Sequence, residues 1–169
     1  GSPVNGLFKV VNSFFVSSSI NLPSSHFVSE KSIFFSRNSA GDMLSIGNTE
    51  ISNSSFIGYG NTLTSTGIKV SGNAGYNIGG NTNISYSTLS NFETGLIFNG
   101  VNTIGILNNN FLTNSLYNVK NNTIFDLVLE NNYWGTVIES EIQNLIFDSS
   151  DDIDKGTVDY TPFLTSLNI

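Results

Sequence analysis

The chain has 169 residues, enough for one domain with a substantial buried core. Thirteen Phe and six Tyr exclude a wholly disordered chain, which would lack the apolar surface needed to offset its ordering entropy. A net charge of −7 with only six Lys and Arg excludes a broad phosphate-binding surface, so we expect no nucleic-acid partner. No apolar run is long enough to span a membrane, and the absence of Cys excludes a disulfide-stapled scaffold.

A large apolar residue, usually with Asn or Ser close before it, recurs along the chain. These markers are Phe14, Phe35, Phe56, Leu89, Phe111 and Tyr133. The gaps between them are 21, 21, 33, 22 and 22 residues. A period in the twenties indicates a stacked repeat, and Leu is too sparse for a leucine-rich repeat.

Short β-like runs lie on either side of the markers. Apolar residues stand five positions before four of them, at Ile51, Ile84, Ile106 and Val128, and runs such as residues 67–70 and 95–98 follow. Gly, Asn and Ser separate the runs, as expected for short strands joined by turns. Stacking at roughly 4.8 Å would place the markers in an inner column and let asparagines at the bends form a ladder. The pattern predicts an all-β chain folded as a parallel β-helix, a solenoid of about six rungs.

The end of the chain carries a more specific pattern. Asn131-Asn132-Tyr133-Trp134-Gly135-Thr136 is followed by an amphipathic stretch, an Asp-rich turn and Val158-Asp159-Tyr160-Thr161-Pro162-Phe163-Leu164. This resembles the closing segment of pectate-lyase-like right-handed parallel β-helix proteins, especially Asn-rich surface proteins of bacteria and archaea. The resemblance implies right-handed winding, a C-terminal cap, an extracellular or cell-surface location, and a polysaccharide or cell-surface glycan as partner. Trp134 is expected to cover the open end of the core.

These features divide the chain into four segments. Residues 1–3, Gly-Ser-Pro, are typical of a cloning remnant. Residues 4–40 match the repeat poorly and are predicted to be N-terminal rungs or a cap. Residues 41–135 are predicted to hold the regular rungs, and residues 136–169 the C-terminal cap segment.

No catalytic residue is predicted. A lyase or hydrolase of this fold would need carboxylates on neighbouring rungs. The acids outside the terminal segment do not recur at the repeat interval: Glu30, Asp42, Glu50, Glu93, Asp126 and Glu130. We therefore expect a non-catalytic binding or adhesion module. Two alternatives remain open: a domain of a carbohydrate-active enzyme (polysaccharide lyase, hydrolase or epimerase), and a structural stalk or spacer.

The 33-residue gap offers a candidate binding site, and the alternative is a merely tolerated surface loop. It holds about eleven residues more than its neighbours, and solenoids place insertions in loops, often on the binding face. Tyr59 and Tyr76 fall in the two candidate loops, with Asn73 and Asn77 beside the second. Aromatic faces and amide groups suit a sugar, because they match its apolar and hydroxyl surfaces.

An acidic cluster near the end is the one candidate metal site. Asp148, Asp151, Asp152 and Asp154 lie close in sequence, with a partial likeness to a calcium loop. The alternative is an Asx-turn in which the carboxylates accept backbone N–H groups. No cofactor other than this possible Ca²⁺ is expected.

Overall fold

The computed structural model describes residues 6–17, 19–36, 41–58, 65–71, 81–100 and 103–169. Within them the chain is almost entirely β, and its parallel sheets stack as a β-solenoid of about five turns, which confirms the predicted fold class. The strands are β1 Leu7–Val11, β2 Phe14–Ser17, β3 Ile20–Glu30, β4 Ile33–Ser36, β5 Gly41–Ser52, β6 Ser55–Ile57, β7 Ser65–Val70, β8 Asn81–Ser85, β9 Thr88–Ser90, β10 Thr94–Phe98, β11 Thr103–Leu107, β12 Asn110–Leu112, β13 Tyr117–Asn121, β14 Leu127–Val128, β15 Ile146–Phe147 and β16 Val158–Asp159. One short helix, α1, spans Glu139–Asn144.

Every strand pair in the described residues is parallel. One sheet runs in the order β1-β3-β5-β7-β10-β13-β15, with β8 and β11 continuing the second half of β5. A second sheet runs β2-β4-β6-β9-β12, and β14 pairs with β16. Consecutive turns therefore lie directly above one another, and equivalent residues form columns along the solenoid axis.

The inner column of the second sheet differs in part from the predicted markers. The register aligns Phe34 with Phe56, Phe56 with Leu89, and Leu89 with Phe111, all four fully buried. Phe56, Leu89 and Phe111 thus confirm the prediction. At the other three positions it was wrong by one residue: the inner residues are Phe15, Phe34 and Trp134, whereas Phe14, Phe35 and Tyr133 point away from the core. A shift of one residue moves a side chain to the opposite face of a strand.

The same correction applies to the apolar column five residues upstream. Ile51, Ile84 and Ile106 align with one another and are buried, as predicted. Val128 is exposed, and the buried residue in that turn is Leu129, which stands five positions before Trp134.

One corner of every turn has the same backbone and hydrogen bonds. The corner residues have φ between 48° and 58°, the left-handed region that Asn tolerates: Asn12, Lys31, Asn53, Tyr86, Asn108 and Asn131. The next residue in each turn is Ser or Asn, and these form a ladder: Ser13, Ser32, Ser54, Ser87, Asn109 and Asn132. The backbone N–H of each of the first five donates to the side-chain oxygen of the next ladder residue at 2.9–3.2 Å. The ladder satisfies polar groups that would otherwise be buried without partners.

The C-terminal segment closes the last turn. Trp134 is fully buried, stacks on Phe111 at 5.0 Å, and meets the ring of Tyr160 edge-on at 6.1 Å. Its burial agrees with the expected covering role. The chain then follows α1 to β15 and β16, which pair with β13 and β14.

Candidate functional site

The predicted sugar-binding residues cannot be located in the fold. Tyr59, Tyr76, Asn73 and Asn77 all lie outside the described residues. Their segments connect β6 to β7 and β7 to β8 in sequence. Their role in binding stays a prediction.

The carboxylates of the acidic segment act as hydrogen-bond acceptors within a turn. Asp148 is buried, and one oxygen accepts the backbone N–H and hydroxyl of Ser150 while the other accepts the N–H of Val158 at 2.9 Å. Asp151 accepts the N–H of Asp148, and Asp152 accepts the N–H of Asp154. This geometry favours the Asx-turn alternative. Among the described residues, no three acidic or His side chains form a group suited to a metal ion.

Two groups near this closing segment have displaced pKa values. Burial raises the pKa of Tyr160, and the negative charges of Glu139, Asp148 and Asp159 raise it further. Hydrogen bonds from the hydroxyl and backbone N–H of Thr157 lower the pKa of the exposed Asp126 carboxyl. Asp126 directly precedes β14 and Tyr160 directly follows its partner β16, so each shift follows from closing the last turn.

The acids on the turns are not stacked. The register places Glu30 opposite Ser52, Asp42 opposite Thr66, and Glu50 between Val28 and Asn83. Glu50 instead lies 3.4 Å from the ring of His26, and Asp42 lies 3.1 Å from the ammonium of Lys69. The first is an exposed side-chain contact and the second a part-buried ion pair. Neither brings together the two carboxylates that glycosidic cleavage uses.

The outer surface of the second sheet carries several exposed apolar side chains. We call it the lateral face; it consists of the outward residues of β2, β4, β6, β9 and β12. One column runs Phe14, Ile33, Ser55, Thr88 and Asn110, and a second runs Val16, Phe35, Ile57, Ser90 and Leu112. Its first three strands are mainly apolar, and its last two carry mainly hydroxyl and amide groups.

The apolar part of the lateral face is open to solvent. Phe14 is 65 % exposed, Val16 and Ile33 are also exposed, and Phe35 and Ile57 are half-buried. These side chains occupy adjacent strands, so they form one continuous patch. Contiguous apolar patches of this kind on soluble proteins commonly mark binding surfaces.

Asn110 in the polar part already binds Asn168 of the same chain. Asn110 donates to the backbone carbonyl of Asn168 at 2.9 Å, and its amide oxygen accepts the N–H of Asn168 at 2.9 Å. The Asn168 side chain donates to the carbonyl of Asn108 at 2.6 Å. Asn110, the one amide of the lateral face, therefore pairs with a peptide group through both its donor and its acceptor.

Sequence reasoning missed the lateral face because it placed Phe14 and Phe35 inside. Both have an aromatic neighbour, Phe15 and Phe34, so a strand of alternating polarity was not visible there. The corner motif could have resolved this. In every turn the inner residue stands third after the left-handed corner residue, as Phe34 does after Lys31.

Comparison with known proteins finds no matching family model, no matching curated protein and no matching solved structure. No helix within the described residues is long and apolar enough to cross a membrane. What the residues themselves define is a β-solenoid with one apolar-to-polar lateral face.

Proposed function

We propose that this chain is a non-catalytic, extracellular or cell-surface β-helix module that binds a polysaccharide or cell-surface glycan, or supports adhesion. The observation that carries the proposal is the lateral face. It presents the exposed ring of Phe14 and the half-buried ring of Phe35 at one end, and mainly hydroxyl groups at the other, on a parallel sheet.

The chemistry of this face suits a linear glycan. Sugar rings have apolar C–H surfaces that pack on aromatic side chains, and hydroxyls that pair with amides and alcohols. Phe14 and Phe35 offer the first, and Ser55 and Thr88 the second. Turns spaced at roughly 4.8 Å place these groups in rows along the axis, so a polymer can meet several of them at once.

Sequence features support the extracellular, glycan-directed part of the proposal. The closing segment resembles that of pectate-lyase-like surface proteins, and assignment to that type is part of the proposal. The alternative, a domain of a carbohydrate-active enzyme, has less support. Glu30, Asp42 and Glu50 do not stack on other acids, and no three acidic or His side chains of the described residues form a metal-binding group. Tyr59 and Tyr76, in the segments that follow β6 and β7 in sequence, remain candidate binding residues.

The test is binding of the whole chain to a panel of neutral and acidic polysaccharides, with Phe14→Ser and Phe35→Ser as variants. Phe125→Ser is the matched control, because this Phe is 47 % exposed but lies outside the lateral face. We expect each lateral-face variant to weaken binding about tenfold, while the control binds like the parent. Equal loss in all three, or no loss, would refute the assignment of the face. Release of sugar products would refute the non-catalytic part.

A structural spacer is the second candidate, and the corner ladder favours it. The ladder runs without interruption from Ser13 to Asn132, which gives the solenoid a regular and stiff corner. Absence of binding across the glycan panel, with the fold intact by circular dichroism, would favour this function. If glycan binding is lost when Tyr59 and Tyr76 are both replaced by Ala, these two residues belong to the glycan site.

A further inference from the structure

The two ends of the solenoid differ. The C-terminal end is closed over the fully buried Trp134. At the N-terminal end, β1 and β2 are the edge strands of their sheets. Leu7 is 64 % exposed and Phe8 39 % exposed, although Phe8 stands on the inner side of β1, opposite the fully buried Phe27. No described residue covers this end.

Two columns of stacked rings stop at this end. Phe8 stacks on Phe27 at 5.9 Å, and Phe15 stacks on Phe34 at 5.4 Å. Phe34 is enclosed by rings on both sides, because Phe56 stacks on it at 4.6 Å. Phe8 and Phe15 each have such a neighbour on one side only, among the described residues. Each column therefore ends in an uncovered ring face.

The corner ladder stops in the same way. The hydroxyl of Ser32 donates to the carbonyl two residues before it and accepts the N–H of Ser13 from the turn above. Ser54 repeats both bonds. Ser13 makes the first, to the carbonyl of Val11 at 2.8 Å, so its hydroxyl is held in the same orientation. Among the described residues, no backbone N–H donates to it.

From these columns we infer that the N-terminal end is a docking surface for one further coil of the same solenoid, joined covalently ahead of β1 and parallel to it. This coil places large apolar side chains over Phe8 and Phe15 and a backbone N–H over the hydroxyl of Ser13. The inference stands apart from glycan binding, because it uses the end of the solenoid and not the lateral face.

A second copy of the chain fits this end less well. Two copies meeting end to end about a two-fold axis would run their β1 strands antiparallel, whereas the ladder at Ser13 is built for a parallel neighbour. Lys9 is the central residue of β1 and is exposed. In the centred pairing it would face its own counterpart, and like charges directly opposite are destabilising.

The experiment adds the coil. A second copy of residues 81–102 is fused directly ahead of Leu7, because the register aligns Leu7 with His26, and Thr49 with Thr82. In the fused copy, Leu89 then lies over Phe15 and Ser87 over Ser13. We expect the melting temperature to rise by about 4 °C or more, and binding of the dye ANS to fall. The matched control carries Ile84→Ser and Leu89→Ser in the copy only, and should melt like the parent.

Three results would overturn the inference. The first is a fused coil that leaves the melting temperature and ANS binding unchanged, or acts no differently from its control. The second is a parent chain that is a stable dimer by light scattering and is made monomeric by Lys9→Glu. The third applies even if the fusion fails to fold. If the Phe8→Ser variant binds as much ANS as the parent, with Phe125→Ser as the control, the end is not open.

Discussion

The closing role of Trp134 gives the sharpest prediction about stability. Trp134→Ala removes a fully buried ring that stacks on Phe111 and contacts Tyr160. Loss of a large buried aromatic side chain costs about 3–5 kcal/mol, from lost burial together with the cavity that remains. The upper half of this range is expected, because Phe111 and Leu129 belong to stacked turns that cannot move into the space without breaking register.

A second substitution at the same position separates packing from polarity. The indole N–H of Trp134 is buried and has no acceptor among the described residues. A buried donor without a partner costs about 1–3 kcal/mol, and Trp134→Phe removes that cost while keeping an aromatic ring. We therefore expect Trp134→Phe to cost less than about 2 kcal/mol. Tyr133→Ala is the control, because its side chain points outward in the same turn.

The assay is urea unfolding followed by far-ultraviolet circular dichroism, since Trp134 is the chain's one Trp and its fluorescence is lost in the variants. A shift in the midpoint at constant m-value reports stability alone. A cost below about 1 kcal/mol for Trp134→Ala would refute the closing role. A larger loss for Tyr133→Ala than for Trp134→Ala would refute the register itself.

Four further outcomes are expected. Asn109→Ala should cost at least about 2 kcal/mol in urea unfolding, because it leaves buried backbone groups of adjacent turns without partners; the exposed Asn99→Ala should cost little. Gly156→Ala should cost about 1–3 kcal/mol, since a Cβ there would collide with a neighbouring backbone; unchanged stability would contradict that close approach. Because the pKa of Tyr160 is raised in the fold, its neutral hydroxyl contributes stability that is fully present below the unfolded pKa near 10.0 and is lost as the pH rises through the folded pKa. The melting temperature of Tyr160→Phe should therefore fall less steeply at alkaline pH than that of the parent. Chelation should leave the melting temperature unchanged, because protein groups occupy both oxygens of Asp148; a rise of several degrees with Ca²⁺ would reveal a site.

The candidate sites were predictable to different degrees. The acidic cluster was visible as a motif, and its alternative as an Asx-turn could be stated from residue types alone. Whether the carboxylates point at one another or at backbone N–H groups depends on the fold of the turn, which no spacing rule decides. The lateral face was not predicted, because its two phenylalanines each stand beside another phenylalanine.

The sequence by itself determined the parallel solenoid, its corners and the position of its closing segment. In a stacked fold, equivalent positions of successive turns lie against one another. The same residue types are therefore needed in each turn and recur along the sequence, as with Asn53 and Asn108 at the corners. Only the tertiary structure decided which member of an adjacent pair faces inward, Phe14 or Phe15, Tyr133 or Trp134. Both members of each pair are apolar enough for the core, so hydrophobicity does not separate them. The hydrogen bonds at the left-handed corner set the register, and those bonds form only when the turns are stacked.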